Sequence, residues 1–265
     1  MERKDVWGAG DLYEPYVGRW SRLVAREFLS WLSVPMDMDW LDVGCGTGAL
    51  TQVILETGMP HAVKGVDPSA GFIEYAKSRL ASPLASFEVG DAQSLPVDPG
   101  SFDVAVAGLV LNFVPHPSGA IAEMTRAVRP GGAVAAYVWD YAGKMELMRY
   151  FWDAAVALDP AAFDLDEGRR FPLCAPKPLS ELFAHAGLRA VEVRPIDVPT
   201  RFRDFDDYWS PFLGGQAPAP GYAMSLSEDR RNTLRDRIRS HLPVAPDGTI
   251  ELIARAWAVS GRAPS

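Results

Sequence analysis

The stretch that decides the fold is Leu41-Asp42-Val43-Gly44-Cys45-Gly46-Thr47-Gly48. Its apolar start is typical of a buried strand, and its alternating glycines let the backbone turn tightly and approach a ligand without a Cβ in the way. The spacing G-x-G-x-G departs from the G-x-G-x-x-G of dinucleotide-binding loops. The stretch therefore predicts a strand, a ligand-binding turn and a helix in succession.

Short β-rich runs alternate with helical stretches after this loop, as in βαβ units that build a parallel sheet. The segment Arg129-Pro130-Gly131-Gly132 is expected to end the helix before the fifth strand, because proline cannot continue a helix and glycine permits a tight turn. The pattern predicts an α/β fold with a doubly wound, Rossmann-like, mostly parallel seven-stranded sheet. The predicted strands cover residues 40–43, 62–66, 86–89, 102–107, 133–139, 190–198 and 250–259.

Composition narrows the range of partners. The 265 residues carry a formal net charge of −8, which argues against nucleic acid as the main partner because binding to phosphates needs a basic surface. Two cysteines, Cys45 and Cys174, cannot form a disulfide framework, and no apolar run is long enough to cross a membrane. We expect a cytoplasmic enzyme with no membrane insertion.

An acidic residue, Asp67, directly follows the second predicted strand. Asp67 lies 23 residues beyond Gly44, where a carboxylate can accept hydrogen bonds from both hydroxyls of a ribose. The alternative interpretation of Asp67 is an acid that caps its loop. The combination of loop and acid predicts a nucleoside-containing ligand.

Five segments follow one another in an order and at distances that point to one family. They are Leu41 to Gly48, Gly65-Val66-Asp67-Pro68-Ser69, Gly90-Asp91-Ala92, Ser101-Phe102-Asp103-Val104 and Arg129-Pro130-Gly131-Gly132. With them the chain resembles the class I S-adenosylmethionine-dependent methyltransferases, in particular the small-molecule branch that includes ubiquinone and menaquinone C-methyltransferases. The match covers roughly residues 38–140.

The resemblance implies S-adenosyl-L-methionine as the cofactor and a site at the glycine loop, Asp42 included. Gly44 and Gly46 would face the methionine part, and Asp67 would bind the ribose. Asp91 would accept a hydrogen bond from the adenine amino group; the alternative is a turn carboxylate after Gly90. The remaining implied contacts are the Ala92 amide on an adenine ring nitrogen, Val66, Pro68 and Ser69 beside the adenosine, and Gly108 or Leu109 beside the methionine.

The N-terminal segment adds two expected contacts. In many relatives an arginine or tyrosine before the first strand reaches the cofactor carboxylate, which implies roles for Tyr16 and Arg19. A salt bridge on a helix surface is the other interpretation of Arg19.

The sequence does not reveal a catalytic base. Of the four histidines, His116 alone is placed by the family pattern near the carboxyl ends of the strands, so it is the candidate. Where many relatives have a histidine pair, this chain has Asn112 and Phe113. Cys45 has no histidine partner to activate it, and no metal site is expected, since the acids at 204, 206 and 207 are better explained as a solvated helix start.

Segments outside the sheet are predicted to form a lid over the carboxyl ends of the strands and to choose the acceptor. They are rich in aromatic residues whose apolar surface must be buried, and the stretch 214–221 is a candidate mobile loop. We therefore predict a single domain over residues 1–265. Its parts are an N-terminal lid helix (1–35), a cofactor-binding core (36–140), helices, the sixth strand and a substrate lid (141–248), and the last strand and tail (249–265).

The favoured function is methyl transfer to a small-molecule acceptor, with the accepting atom (O, N or C) unresolved. A non-catalytic protein that binds S-adenosylmethionine or S-adenosylhomocysteine is the alternative from another class. A nicotinamide-dependent oxidoreductase is disfavoured by the glycine spacing.

Overall fold

The computed structural model describes residues 18–215 and 217–265, and its centre is a seven-stranded sheet in the order β3-β2-β1-β4-β5-β7-β6. β1 pairs parallel with β2 and β4, β2 with β3, and β4 with β5, whereas β7 pairs antiparallel with β5. This arrangement confirms the predicted doubly wound, mostly parallel sheet. The strands are β1 (Asp39–Val43), β2 (Ala62–Asp67), β3 (Ala85–Val89), β4 (Phe102–Gly108), β5 (Val128–Trp139), β6 (Arg189–Phe202) and β7 (Ile250–Arg262).

Helices connect the strands and fill the segments between β5 and β7. Short 3₁₀ turns occupy Leu111–Phe113, Pro160–Leu165 and Ser210–Gly214. The α-helices of the described residues are α1 (Arg19–Leu32), α2 (Ala49–Thr57), α3 (Ala70–Arg79), α4 (Pro117–Ala127), α5 (Glu146–Leu158), α6 (Glu167–Arg170), α7 (Pro176–His185), α8 (Phe205–Trp209), α9 (Pro218–Ser225) and α10 (Glu228–His241).

The chain divides into two compact units, whose boundaries fall inside α1, β6 and β7. The first, which we call the sheet unit, comprises Ser21–Trp139, Leu173–Ile196 and Ala256–Ser265. The second, which we call the helical unit, comprises Asp140–Pro172 and Asp197–Arg255 together with residues 18–20 of the described chain. The predicted division of the chain into parts remains a prediction, as does the placement of the predicted lid.

The sheet unit is held by strands that are apolar on both faces. β4 and the second half of β5 are buried through their central residues, as expected for parallel strands covered by helices on both sides. Helix α1 contributes its apolar stripe, with Val24 and Phe28 fully buried and the Phe28 ring 4.8 Å from that of Tyr137. These contacts place the ends of β1 to β4 at one edge of a rigid sheet.

The helical unit has an aromatic core of its own. The Phe151 and Phe212 rings stack at 4.6 Å, and the buried hydroxyl of Tyr208 donates to the carbonyl of Leu147 over 2.8 Å. Four aromatic residues outside the sheet, Phe205, Tyr208, Trp209 and Phe212, are therefore buried within this unit. Among the residues that the structure describes, no helix has the length and apolar character needed to cross a membrane.

Two local expectations were wrong. The segment Arg129-Pro130-Gly131-Gly132 does not lie between α4 and β5 but bulges from the start of β5, where Gly131 has φ +76° and the register shifts between Phe102 and Val104 of β4. The helix does end before it, at Ala127.

The predicted loop over 214–221 is interrupted by α9, which begins at Pro218. Proline is favoured in the first turn of a helix because its fixed φ is helical and its missing N–H has no partner to lose there. The expected loop is thus reduced to a short connection after Gly214.

Candidate functional site

The glycine loop turns away from β1 with three residues in the left-handed region. Gly44, Gly46 and Gly48 have φ values of +70°, +53° and +85°, which favour glycine because a Cβ crowds the backbone there. A Cβ on Gly44 would lie 2.5 Å from a methyl carbon of Val110, whereas a Cβ on Gly46 would meet nothing within 4 Å. Gly44 is therefore required by the fold, and open space lies above Gly46.

Asp67, at the end of β2, is tied to this loop. Its Oδ2 accepts the Gly46 N–H over 3.0 Å and its Oδ1 accepts the Ser69 N–H over 2.8 Å. Burial raises the pKa of Asp67, and the two N–H donors oppose that change. Each carboxylate oxygen keeps a second lone pair, so the group can hold the loop and still accept bonds from a ligand.

Asp42 was grouped with the ligand-binding residues, and the structure places its carboxylate in the interior. Its Oδ2 accepts the hydroxyl of the equally buried Thr51, in the first turn of α2, over 2.6 Å. Burial raises the pKa of Asp42 to about 7, with the bonds from Thr51 opposing the change. We interpret Asp42 as an anchor beneath the loop.

Cys45 also points inward. Its side chain is buried, and this burial raises the pKa of its thiol, with the nearby Asp42 and Asp67 adding to the effect. A buried thiol that resists ionisation is a poor nucleophile. The position agrees with the sequence-based view that Cys45 is not catalytic.

The segment after β3 forms a tight turn. The Gly90 N–H donates to the Asp67 carbonyl over 3.1 Å, and a Cβ on Gly90 would lie 2.9 Å from a Val66 methyl carbon. Asp91 is exposed, with Oδ1 accepting the Gln93 N–H over 2.8 Å. Asp91 therefore serves as a turn carboxylate in this structure, with its other oxygen directed to the Gln93 side chain at the long distance of 3.5 Å.

The end of β4 approaches β5 closely. A Cβ on Gly108 would lie 2.6 Å from the Tyr137 hydroxyl oxygen, so a larger residue there would force the Tyr137 side chain to shift. Leu109 has φ +60°, an unfavourable value for a branched side chain, and its N–H donates to the Tyr137 carbonyl over 2.8 Å. The strained backbone at Leu109 lies directly after the strand end.

The remaining ligand-flanking residues surround Asp67 along the chain. Val66 is buried in β2, Pro68 is exposed, and Ser69 is half-buried and caps α3 by accepting the Phe72 N–H over 3.3 Å. Ala92 is half-buried in the turn after β3. The structure thus brings the predicted adenosine-side residues together at the ends of β2 and β3.

Arg19 belongs to the helical unit. Its Nη1 pairs with Asp207 at 3.3 Å, and its guanidinium carbon lies 4.3 Å and 4.8 Å from the centres of the Trp20 and Phe202 rings. The salt bridge that the sequence suggested as one role of Arg19 is therefore formed. The Nε and Nη2 atoms of Arg19 are buried and have no hydrogen-bond partner among the described residues. Tyr16 lies outside the described residues.

His116 is exposed at the residue that precedes α4. The acids near residue 204 each have a local partner: Asp204 caps α8, Asp206 pairs with Arg235 at 3.1 Å, and Asp207 pairs with Arg19. Within residues 18–215 and 217–265, no group of histidine, cysteine and acidic side chains has the geometry to hold a metal ion.

Sequence reasoning missed three residues that shape the site, namely Thr51, Val110 and Tyr137. Thr51 had a local signal, a hydroxyl in the first turn after the loop. Tyr137 had none, because its contact with Gly108 depends on the register between β4 and β5. Such contacts are visible only once the strands are paired.

Comparison with known proteins gives this geometry a context. Residues 41–136 match the family model of a methyltransferase domain. The demethylmenaquinone methyltransferase of Staphylococcus epidermidis is 37% identical over 112 residues, which make up 41% of this chain and 46% of that protein. A malonyl-acyl-carrier-protein O-methyltransferase of Hahella chejuensis is 38% identical over 95 residues, 36% of this chain and 34% of that protein.

A solved structure extends the likeness beyond the matched segment. Phosphoethanolamine N-methyltransferase 2 of Haemonchus contortus, solved in complex with S-adenosyl-L-methionine, superposes with a TM-score of 0.57 at 16% identity, covering 93% of this chain and 53% of that one. The chain spans less than half the length of the two curated relatives. Together, these findings confirm the Rossmann-like fold and the resemblance of the core to class I methyltransferases.

Proposed function

We propose that this chain, whose residues 41–136 match a methyltransferase domain, transfers a methyl group from S-adenosylmethionine to a small-molecule acceptor. The observation that carries the proposal is the joint between loop and acid, in which the Gly46 N–H donates to Asp67 beneath space that a Cβ would occupy. A cofactor with a ribose next to a flexible, charged methionine chain fits a carboxylate beside an unobstructed backbone.

Different residues of the chain would bind the methionine, ribose and adenine parts of the cofactor. Gly44 and Gly46 hold the methionine part, with Gly108 and Leu109 on its other side. Asp67 accepts the ribose hydroxyls. The adenosine side is formed by Val66, Pro68, Ser69, Asp91 and Ala92, while Arg19 and Tyr16 are the candidates for the methionine carboxylate.

Asp42 takes an indirect part in this proposal. Its bond with Thr51 joins the end of β1 to the first turn of α2 on either side of the loop. Because the three left-handed glycines have little intrinsic rigidity, an anchor beneath them keeps the loop in one conformation. Asp42 is thus a positioning residue rather than a ligand contact.

When bound, the cofactor would supply a methyl group on a positively charged sulfur, and its transfer to an acceptor lone pair would break the methyl–sulfur bond and release S-adenosylhomocysteine. The chain has two tasks in such a displacement: to align the two molecules and to exclude water from them. Backbone at the strand ends provides rigid alignment, since the loop, Asp67 and Gly108 belong to one sheet. His116 is the candidate for removing a proton from the acceptor where its acidity requires this.

The relatives guide the choice of acceptor. The two curated relatives carry names that indicate a quinone precursor and an acyl-carrier thioester with a carboxyl group. We propose a small organic acceptor of this general kind, used in the cytoplasm. The chain has two cysteines, Cys45 and Cys174, both of which are buried, and so few cysteines agree with a reducing compartment.

A calorimetric titration with S-adenosylmethionine, S-adenosylhomocysteine and NAD tests the binding part. We expect both sulfur compounds to bind and NAD not to bind. Transfer of a radiolabelled methyl group to phenolic, quinol and amine acceptors then tests the catalytic part. Binding without transfer to any acceptor would favour the non-catalytic alternative, and binding of NAD alone would favour the oxidoreductase.

A further inference from the structure

A buried amide without partners lies next to the proposed site. Asn112 is in the 3₁₀ turn Leu111–Phe113, which follows β4 at the carboxyl edge of the sheet. The residue as a whole is half-buried, but its Oδ1 and Nδ2 atoms are buried, and neither has a hydrogen-bond partner among residues 18–215 and 217–265. Because both atoms are without partners, the observation does not depend on which way the amide is turned.

The turn that carries Asn112 is otherwise well ordered. The Phe113 N–H donates to the Val110 carbonyl over 2.8 Å, the Val114 N–H donates to the Leu111 carbonyl over 3.3 Å, and the Leu111 side chain is fully buried. Two backbone hydrogen bonds therefore close the turn, whereas the side-chain amide of Asn112 has no partner among the described residues. A buried donor and acceptor that lack partners destabilise a fold, so such groups in native proteins point to a purpose other than stability.

One contact connects this turn to the proposed cofactor loop, and the backbone before the turn is strained. The side chain of Val110 fills the space beside Gly44, where a Cβ would meet its methyl carbons at 2.5 Å and 2.8 Å. Leu109 holds the unfavourable φ of +60° at the start of the same segment. Strain and an unsatisfied amide thus occur within four residues at the edge where doubly wound folds bind ligands.

We propose that Asn112 binds a hydroxyl group of the methyl acceptor. The inference rests on the proposed function and names the substrate class. An amide presents a donor and an acceptor side by side, and a hydroxyl group offers the complementary acceptor and donor. A carboxylate has no proton for Oδ1, and an ammonium group has no lone pair for Nδ2, so neither satisfies both atoms.

The chain offers an internal control for the test, because Asn112 and Asn232 are its two asparagines. Asn232 is exposed on α10. Protein labelled with ¹⁵N-asparagine therefore gives two side-chain amide signals, which an Asn112→Leu variant assigns. Three probes on one ring separate the chemistries: 1-naphthol, 1-naphthoate and 1-naphthylmethylamine, each added with saturating S-adenosylhomocysteine.

We expect 1-naphthol to shift the Asn112 amide signal while that of Asn232 stays in place. Asn112→Leu should weaken 1-naphthol binding about tenfold, the value of one lost hydrogen bond, and leave the affinity for S-adenosylhomocysteine unchanged. The hydroxyl assignment is overturned if naphthoate or naphthylmethylamine shifts the amide instead, if S-adenosylhomocysteine alone produces the whole shift, or if no probe moves it.

A stability measurement separates this role from a structural one. Leucine has nearly the shape of asparagine and removes both unsatisfied atoms, so Asn112→Leu should melt at or above the wild-type temperature. Asn232→Leu, on an exposed helix surface, should leave the melting temperature unchanged. A drop of several degrees in Asn112→Leu alone would reveal a structural partner and overturn the proposal. Failure of wild type to bind S-adenosylhomocysteine would instead count against the proposed function.

Discussion

The two edges of the parallel sheet use acidic residues in opposite ways. At the amino edge, Asp39 and Asp103 both pair with Arg129, and Asp39 also pairs with His61 at 2.7 Å. At the carboxyl edge, Asp42 and Asp67 are more deeply buried, and hydroxyl and N–H donors rather than cations satisfy them. Among the described residues, neither of these two carboxylates forms an ion pair.

This difference suggests that the acidic residues at the amino edge serve folding, whereas those at the carboxyl edge serve function. The amino edge is electrically satisfied and exposed, so its charges contribute modestly to stability. The carboxyl edge keeps buried charge, left-handed backbone and an amide without partners, features that cost stability and cluster at functional sites. Substitutions matched across the two edges can therefore test which features serve a ligand.

The largest contrast in cofactor binding is expected between valine substitutions at two glycines in the left-handed region of backbone conformation. Gly46 and Gly131 both have positive φ and open space for a Cβ, so valine at either position should cost about 1–2 kcal/mol of stability. Only Gly46→Val should obstruct the cofactor, weakening S-adenosylmethionine binding at least about a hundredfold, or about 3 kcal/mol. Calorimetry on both folded variants checks this. Equal affinities would mean that the ligand does not approach the loop.

Acid removal should give the next largest contrast. Asp67→Ala is expected to weaken S-adenosylmethionine binding by about 1.5–3 kcal/mol, because charged acceptors for the ribose hydroxyls are lost. Asp39→Ala, at the opposite edge, should leave binding unchanged. Titration of both variants decides the matter, and the ribose assignment fails if Asp67→Ala binds like wild type while folded.

The raised pKa of Asp42 predicts that the free energy of unfolding depends on pH. Its pKa of about 7 exceeds the unfolded value of 3.8, so between these values the native state holds a proton that the unfolded chain has released. The wild type must then lose stability as pH rises through this window. Asp42→Asn removes the ionisation and should exceed wild type by about 2 kcal/mol at pH 8, with no excess near pH 4.

Urea unfolding of both proteins at several pH values measures this difference. A constant offset between Asp42→Asn and wild type across the window would show that Asp42 does not titrate there. Asp39→Asn serves as the control, since hydrogen bonding from His61 and Arg129 lowers the pKa of Asp39 instead of raising it.

The smallest effect is expected at His61, on the amino edge. Its hydrogen bond and charge interaction with Asp39 raise its pKa above the ordinary 6.5. The pair therefore adds stability that is present below the ordinary value and is lost as pH rises through the raised one. His61→Ala should lower the melting temperature slightly at pH 5.5 and leave it unchanged at pH 9. The same decrease at both values would point to packing rather than charge.

Much of the carboxyl edge was predictable from the sequence. The glycine loop and Asp67 lie at the ends of β1 and β2 because alternation of strands and helices brings successive strand ends to one edge. The role of the aromatic residues at 205–212 was harder to predict, since an apolar run can form part of a core as well as line a pocket. The bulge at residues 129–132 was missed, because a turn signal at the start of a strand does not say whether the turn precedes or interrupts pairing.

By itself, the sequence determined the order of strands and helices, the left-handed loop and the acid that meets it, because spacing and backbone preference act over a few residues. Only the tertiary structure decided that Asp42 faces Thr51 in the interior while Asp67 holds the loop. It alone decided that the amide atoms of Asn112 are buried with no partner among the described residues. These outcomes depend on how each strand end packs against its neighbouring elements, and the sequence pattern of a single element does not encode that packing.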